Sequence, residues 1–434
     1  MTSTLSAREL MMNPSGHDTG RARLRPLGTL AATIVTTLAV VLGTLALTGP
    51  NHLDRPVGRT PAPVAGTPAT SWVGTWGTSL HRSFNPSFDD VTLRLVVRTS
   101  TAGDALRIRL ANTFGGQPLD IGAVTVGVQR TGAELVAGSN RPVTFGGKRS
   151  VTVAEGAQII SDPVAMRVPA LTNLAVSLHL PTDTHGATTQ HLNSNQTSYV
   201  STPGDHSGDA GSENFPTTTE HWSYLQGIDV RRPNGGTIVA LGDSITAGGD
   251  VTYPDVLAQR LQRTPRFRGL GVLNEGIGAA ELLRRAALYG LSDPMLTRMD
   301  RDVLLQSAVR AVIVLAGTND ILGGHQASAE QVIAGFRQLV ARTHDEGVRV
   351  LGGTITPCSC YSRERERTRQ AVNTWIRTSG AFDGVIDFDR ALRDPADPHR
   401  MDPAFHHPDD PLHPNATGYR VMANSVPLHL LSPR

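Results

Sequence analysis

The sequence predicts an α/β fold, a parallel sheet flanked by helices, preceded in the same chain by an all-β sandwich. Two observations carry this. Between Trp72 and about Ser201 apolar and polar residues alternate with period two. Leu106, Ile108 and Leu110 are interleaved with Arg107 and Arg109; Val124, Val126 and Val128, and Leu174, Val176, Leu178 and Leu180, repeat the rule. Gly-rich turns such as Thr113-Phe114-Gly115-Gly116 separate these segments, as expected of a sandwich of short strands. From about Asn234 the texture changes, and short apolar runs alternate with helical patterns, the mark of a parallel sheet covered on both faces.

Taken in order, residues 1–25 form a basic leader and 26–49 a signal or anchor segment. A Pro/Gly-rich linker at 50–70 leads to the sandwich at 71–230 and the α/β domain at 231–434. Arg21, Arg23 and Arg25 precede a charge-free run from Pro26 to Gly49, long enough to cross a bilayer. Positive charge before such a run places the downstream chain outside the cytoplasm, whether the segment is cleaved or kept. Residues 202–220, rich in Gly, Asp, Ser and Thr, read as a mobile surface loop. Candidate strands of the α/β part are Thr237–Leu241, Gly271–Leu273, Ala311–Ala316, Val348–Gly352 and Val385–Asp387. A helix is expected from about Ala329 to Glu346, with Ser328 and Gln331 as a capping box and Gly347 as its stop.

The formal charge of +2 is accounted for by the first fifty residues, so no basic surface for nucleic acid remains. Cys358 and Cys360 are too few for a disulfide framework or a zinc site, and a plain loop is the favoured reading. Trp72, Trp76, Trp222 and Tyr224 are read as packing the two domains together, with a sugar platform as the alternative.

Four blocks carry chemistry. They are Gly242-Asp243-Ser244, Asn274-Glu275-Gly276-Ile277-Gly278-Ala279, Gly317-Thr318-Asn319-Asp320 and Asp410-Pro411-Leu412-His413. Each follows a candidate strand or sits at a turn, so the carboxyl ends of a parallel sheet can bring them together. A serine hydroxyl needs a base and an anion-stabilising pocket to act as a nucleophile. His413 supplies the base, and Asp410, three residues earlier, can hold its other ring nitrogen; Asp409 competes for that role. Asn319 and the backbone N–H groups of Ser244 and of the Gly278-Ala279 turn supply the pocket. Thr246 stands where the α/β-hydrolase elbow needs a second glycine, which excludes that elbow.

This ordered set resembles the SGNH (GDSL) hydrolase superfamily over about residues 235–428, extending to the run Asp410-Pro411-Leu412-His413-Pro414-Asn415-Ala416-Thr417-Gly418-Tyr419. The resemblance implies a flavodoxin-like catalytic domain, here behind a jelly-roll-like sandwich. It also implies carboxylic ester hydrolysis through an acyl-enzyme, with Ser244 as nucleophile, His413 as base, Asp410 as its partner, and Ser244, Ala279 and Asn319 as oxyanion donors. No metal or organic cofactor is implied. The expected partner is a small-molecule or polysaccharide ester, with an exported carbohydrate deacetylase as the leading expectation. A lipase or lysophospholipase is the alternative, as is a polysaccharide-binding protein on a degenerate hydrolase scaffold.

Ala279 departs from the family pattern, where a glycine usually stands; its N–H can still donate, but alanine resists positive φ. Ser244 alone could be a turn serine, and Asn319 and Asp320 alone could be helix caps. His399, His406, His407, Asp409, Asp410 and His413 form a His/Asp cluster whose spacing fits no metal-ligand pattern.

Overall fold

Inward-facing residues of the alternating segments do build the sandwich. In a computed structural model describing residues 72–432, except 85–86 and 286–291, Leu93, Leu95, Leu106, Ile108, Leu110, Val126, Leu174, Val176 and Leu178 share one buried core. One antiparallel sheet contains Trp72–Gly77, Leu225–Arg231, Leu106–Ala111 and Gln158–Ile160. The other is built around Val91–Arg98, Asn173–Leu180 and Ala123–Thr131. The leader, the charge-free segment and the linker, and with them the export expectation, lie outside the described residues. Among the described residues no helix is long and apolar enough to cross a membrane.

The α/β part is a five-stranded parallel sheet in the order Leu270–Gly276, Gly236–Gly242, Val309–Leu315, Arg349–Gly353 and Gly384–Ile386. All five expected strands are present. The expected helix spans Ala329–Asp345 with both halves of its capping box formed. Strand order reverses between Gly236–Gly242 and Val309–Leu315, and such a switch point leaves a crevice at the carboxyl ends of the strands.

An edge strand exposes unpaired backbone groups unless something covers it. Leu270–Gly276 is an edge, and the sandwich covers it. Val272 N–H donates to Ser100 Oγ at 2.9 Å, and Gly74 N–H donates to Thr237 Oγ1 at 2.9 Å. Gly271 lies so close to the Gly74 carbonyl that a Cβ there would sit 1.9 Å from its oxygen. Deeper in this junction Ser79 Oγ lies 2.8 Å from both a Glu275 and an Asp302 carboxylate oxygen, while Arg298 donates to Ser79, to Asp302 and to the Gly242 carbonyl. Burial and the neighbouring Asp302 push Glu275 well up. Asp302, buried too, is held low by Arg301 and Arg298. The sandwich thereby braces the strand that delivers Ser244.

Three expectations need correcting or extending. The 202–220 loop is pinned rather than loose: the buried Arg94 guanidinium donates to the carbonyls of Asp209, Gly211 and Ala133 and lies 3.8 Å over the Phe215 ring. A buried guanidinium must find acceptors, and this loop supplies them. The aromatics serve the sandwich core as well as the domain junction, where Trp76 and Trp222 line a cleft with Ala247, Pro254 and Val272 of the α/β part. Trp76, Trp222 and Tyr224 fill the core of the sandwich, and Trp72 packs under Arg107. Finally, Cys358 and Cys360, read as a plain loop, are bridged, with Cα atoms 5.1 Å apart, inside the range a disulfide spans.

Candidate active site

Ser244 opens a one-turn helix, Ser244–Ala247, directly after the Gly236–Gly242 strand. Asp243 caps it, its Oδ1 accepting the Ile245 N–H at 2.9 Å. The turn is tight enough to require glycine at 242, where a Cβ would meet Thr246 Oγ1 at 2.1 Å. Asn319 enters from the first turn of Thr318–Leu322, after Gly317 takes φ +104°, a backbone conformation that costs glycine little. His413 lies on Asp410–Pro414, which pairs with His406–His407.

These elements bring the sequence-predicted residues together. Ser244 Oγ lies 2.8 Å from His413 Nε2, and His413 Nδ1 lies 2.9 Å from Asp410 Oδ2. Asp410 Oδ1 also accepts the backbone N–H groups of Leu412 and His413, both at 3.1 Å, which locks the turn. Burial opposes the Asp410 charge, but the bonds from His413 outweigh it and hold this carboxyl down to about 2. Asp409 is exposed, and the contact to His413 Nδ1 is made by Asp410.

Asn319 Nδ2 donates one hydrogen to the Ala280 carbonyl at 3.1 Å, which fixes the amide beside the 277–283 turn. Among the described residues the N–H groups of Ser244, Gly278 and Ala279 donate to no acceptor. Ala279 takes φ +58°. The strain expected from alanine is therefore present, at a cost of about 1–2 kcal/mol for an L-residue. Ala279→Gly should raise the melting temperature, equivalent to about 0.5–1 kcal/mol, in thermal denaturation; at ordinary φ the same change destabilises.

Three contributors were not singled out from the sequence. Asp320 is more than a cap: its carboxylate accepts the N–H groups of Leu282 at 2.9 Å and Leu283 at 3.0 Å, anchoring the turn that carries Ala279. Burial raises its pKa, and those two donors offset part of the rise. Arg298 ties Gly242 to the sandwich through contacts between residues far apart in sequence, which local pattern cannot reveal. Asp243 stood inside the serine block, but only structure shows it fully buried. The His/Asp cluster disperses: His399 pairs with Glu366, His406 bonds the His407 carbonyl, and among the described residues no three such side chains are arranged to hold a metal ion.

Residues 240–421 match the model of the GDSL-like Lipase/Acylhydrolase family. Similar solved structures include a variant of an acetyl xylan esterase from Geobacillus stearothermophilus, at 20% identity and TM-score 0.35, covering 45% of this chain and 94% of that one. A GDSL-like lipase from Bacteroides thetaiotaomicron has 17% identity and TM-score 0.34, covering 45% and 87%. A lipolytic G-D-S-L protein from Veillonella parvula has 19% identity and TM-score 0.32, covering 44% and 96%. No curated protein matches the chain.

Proposed function

We propose that the GDSL-like domain at residues 240–421 makes this protein an exported serine ester hydrolase acting on acetylated carbohydrate. The observation that carries the chemistry is the Ser244–His413–Asp410 relay, 2.8 Å and 2.9 Å across its two links. Ser244 Oγ attacks the ester carbonyl while His413 Nε2 takes its proton, giving a tetrahedral oxyanion. The unengaged N–H groups of Ser244 and Ala279, with Gly278 beside them, and the second hydrogen of Asn319 Nδ2 receive that charge. His413 then returns the proton to the leaving alcohol, and the acyl-enzyme is hydrolysed by a water that His413 deprotonates. Asp410, ionised throughout, holds the imidazole tautomer.

Export is supported by the basic leader and charge-free segment, and the Cys358–Cys360 bridge suits an oxidising compartment. The carbohydrate substrate rests on the resemblance to two-domain carbohydrate esterases. Acetate release from acetylated xylan, compared with turnover of long-acyl esters, tests it; preference for long acyl chains would favour a lipase-type activity instead. Asn319→Ala should lower kcat by about 10²–10³-fold with little change in KM, the signature of a donor used mainly in the transition state. Steady-state kinetics on a short-chain nitrophenyl ester checks this.

A further inference from the structure

Where the sandwich meets the sheet edge, one serine hydroxyl faces more oxygens than it can serve. Ser79 Oγ lies 2.8 Å from Glu275 Oε2, 2.8 Å from Asp302 Oδ2 and 3.1 Å from the Glu275 carbonyl oxygen. All three residues are buried. A hydroxyl carries one hydrogen, so it can donate to only one of the two carboxyl oxygens. The other contact needs a proton of its own, because bare lone pairs would otherwise face each other at hydrogen-bond distance. Asp302 is the ionised partner: Arg301 Nε donates to its Oδ1 at 2.7 Å and Arg298 Nη1 to its Oδ2 at 2.8 Å. Glu275 Oε1 has no hydrogen-bond partner, and a Cβ on Gly77 of the sandwich would lie 3.0 Å from it. The extra proton therefore belongs on Glu275 Oε2, which donates to Ser79 Oγ, and Ser79 in turn donates to Asp302 Oδ2.

We infer that Glu275 is a positioning residue held as a neutral acid, whose proton fastens the sandwich to the strand leading into the 277–283 turn and whose loss in alkali loosens that turn. The link to catalysis rests on the proposed roles of Ser244, His413 and the N–H donors of the turn. Glu275 stands three residues before Gly278 in the chain. Arg298, which also contacts Ser79 and Asp302, donates to the Glu275 and Gly242 carbonyls, both at 3.0 Å. One cluster thus holds the two strand ends that carry the turn and the nucleophile. Ionising Glu275 would set a second buried carboxylate beside Asp302, with one serine hydrogen between them. Burial and then Asp302 raise Glu275, and Ser79, Arg298 and Arg301 only partly oppose them. Asp293 lies behind Arg301, 4.0 Å away. On the sandwich side stand His191, whose Nδ1 lies 2.9 Å from the Ser79 carbonyl, and His81. Burial pushes these imidazoles down to about 4 and about 3, so neither changes charge near neutrality.

Glu275→Gln tests this, because the glutamine amide can donate to Ser79 as the acid does and cannot ionise. The folded state holds the Glu275 proton above the ordinary value of 4.5, so the wild type loses stability as pH rises past that value. The variant does not. Its lead in melting temperature over the wild type should therefore widen by about 2–3 °C per pH unit from about pH 5 upward. A lead that stays constant or shrinks would show an ionised Glu275 and overturn the inference. This comparison needs no turnover. A wild type without esterase activity would overturn the assignment of Ser244 and His413 and leave the melting result to judge Glu275. In active protein, the alkaline limb of kcat should move upward by about half a unit or more in the variant. A limb that stays in place would overturn the link to the turn. Should the variant not fold, carboxyl ¹³C NMR of the wild type decides. Glu275 should resonate as a protonated acid at neutral pH, and a carboxylate resonance would overturn the inference.

Discussion

Ser244→Ala should reduce kcat/KM on a short-chain ester by about 10⁴–10⁶-fold, down to what binding and the oxyanion donors supply alone. The expectation follows from geometry. Ser244 Oγ is the hydroxyl held 2.8 Å from His413 Nε2, so no neighbouring hydroxyl can inherit its place in the relay. The fold should survive, because the short helix is held by Asp243 and by the close approach at Gly242, neither of which uses the Ser244 hydroxyl. Unchanged circular dichroism alongside lost turnover would separate chemistry from unfolding. Residual activity within tenfold of wild type would show that another group does the work.

Asp410→Asn should be the second largest effect, a loss of about 10²–10⁴-fold in kcat/KM. Asparagine can still accept the Leu412 and His413 N–H groups through its oxygen, so the turn should persist. Its amide nitrogen would then face His413 Nδ1 as a donor, favouring the tautomer that cannot accept the Ser244 proton. The upper end of the range belongs to triads whose aspartate is deeply buried. Asp410 keeps 37% of its side-chain surface exposed, so solvent can replace part of its contribution. Steady-state kinetics across the neutral range measures the loss, and an effect under threefold would remove Asp410 from the relay.

Much of this site was legible because its chemistry is local in sequence. A strand that must be buried on both faces reads as an unbroken apolar run, and all five runs became strands of the parallel sheet. Gly-Asp-Ser, Asn-Asp and Asp-Pro-Leu-His each follow such a run or a turn, and chain topology then brings them together. The unread parts depend on contacts between distant positions. Arg94 sits in a strand pattern, and nothing near it says that its donors will organise a loop more than a hundred residues away. Ser79, Glu275, Arg298 and Asp302 form one cluster only after the sandwich closes over the sheet edge. Composition misled at residues 202–220, where Gly, Asp and Ser served as acceptors and tight turns around a cation rather than as loose chain.

The most direct measurement is to react the folded, full-length protein with a fluorophosphonate and locate the adduct by peptide mass spectrometry. Attachment at Ser244, abolished in His413→Ala, is the expected result. An active protein that takes no adduct at Ser244, or carries it on a different residue, would contradict a serine nucleophile at this site.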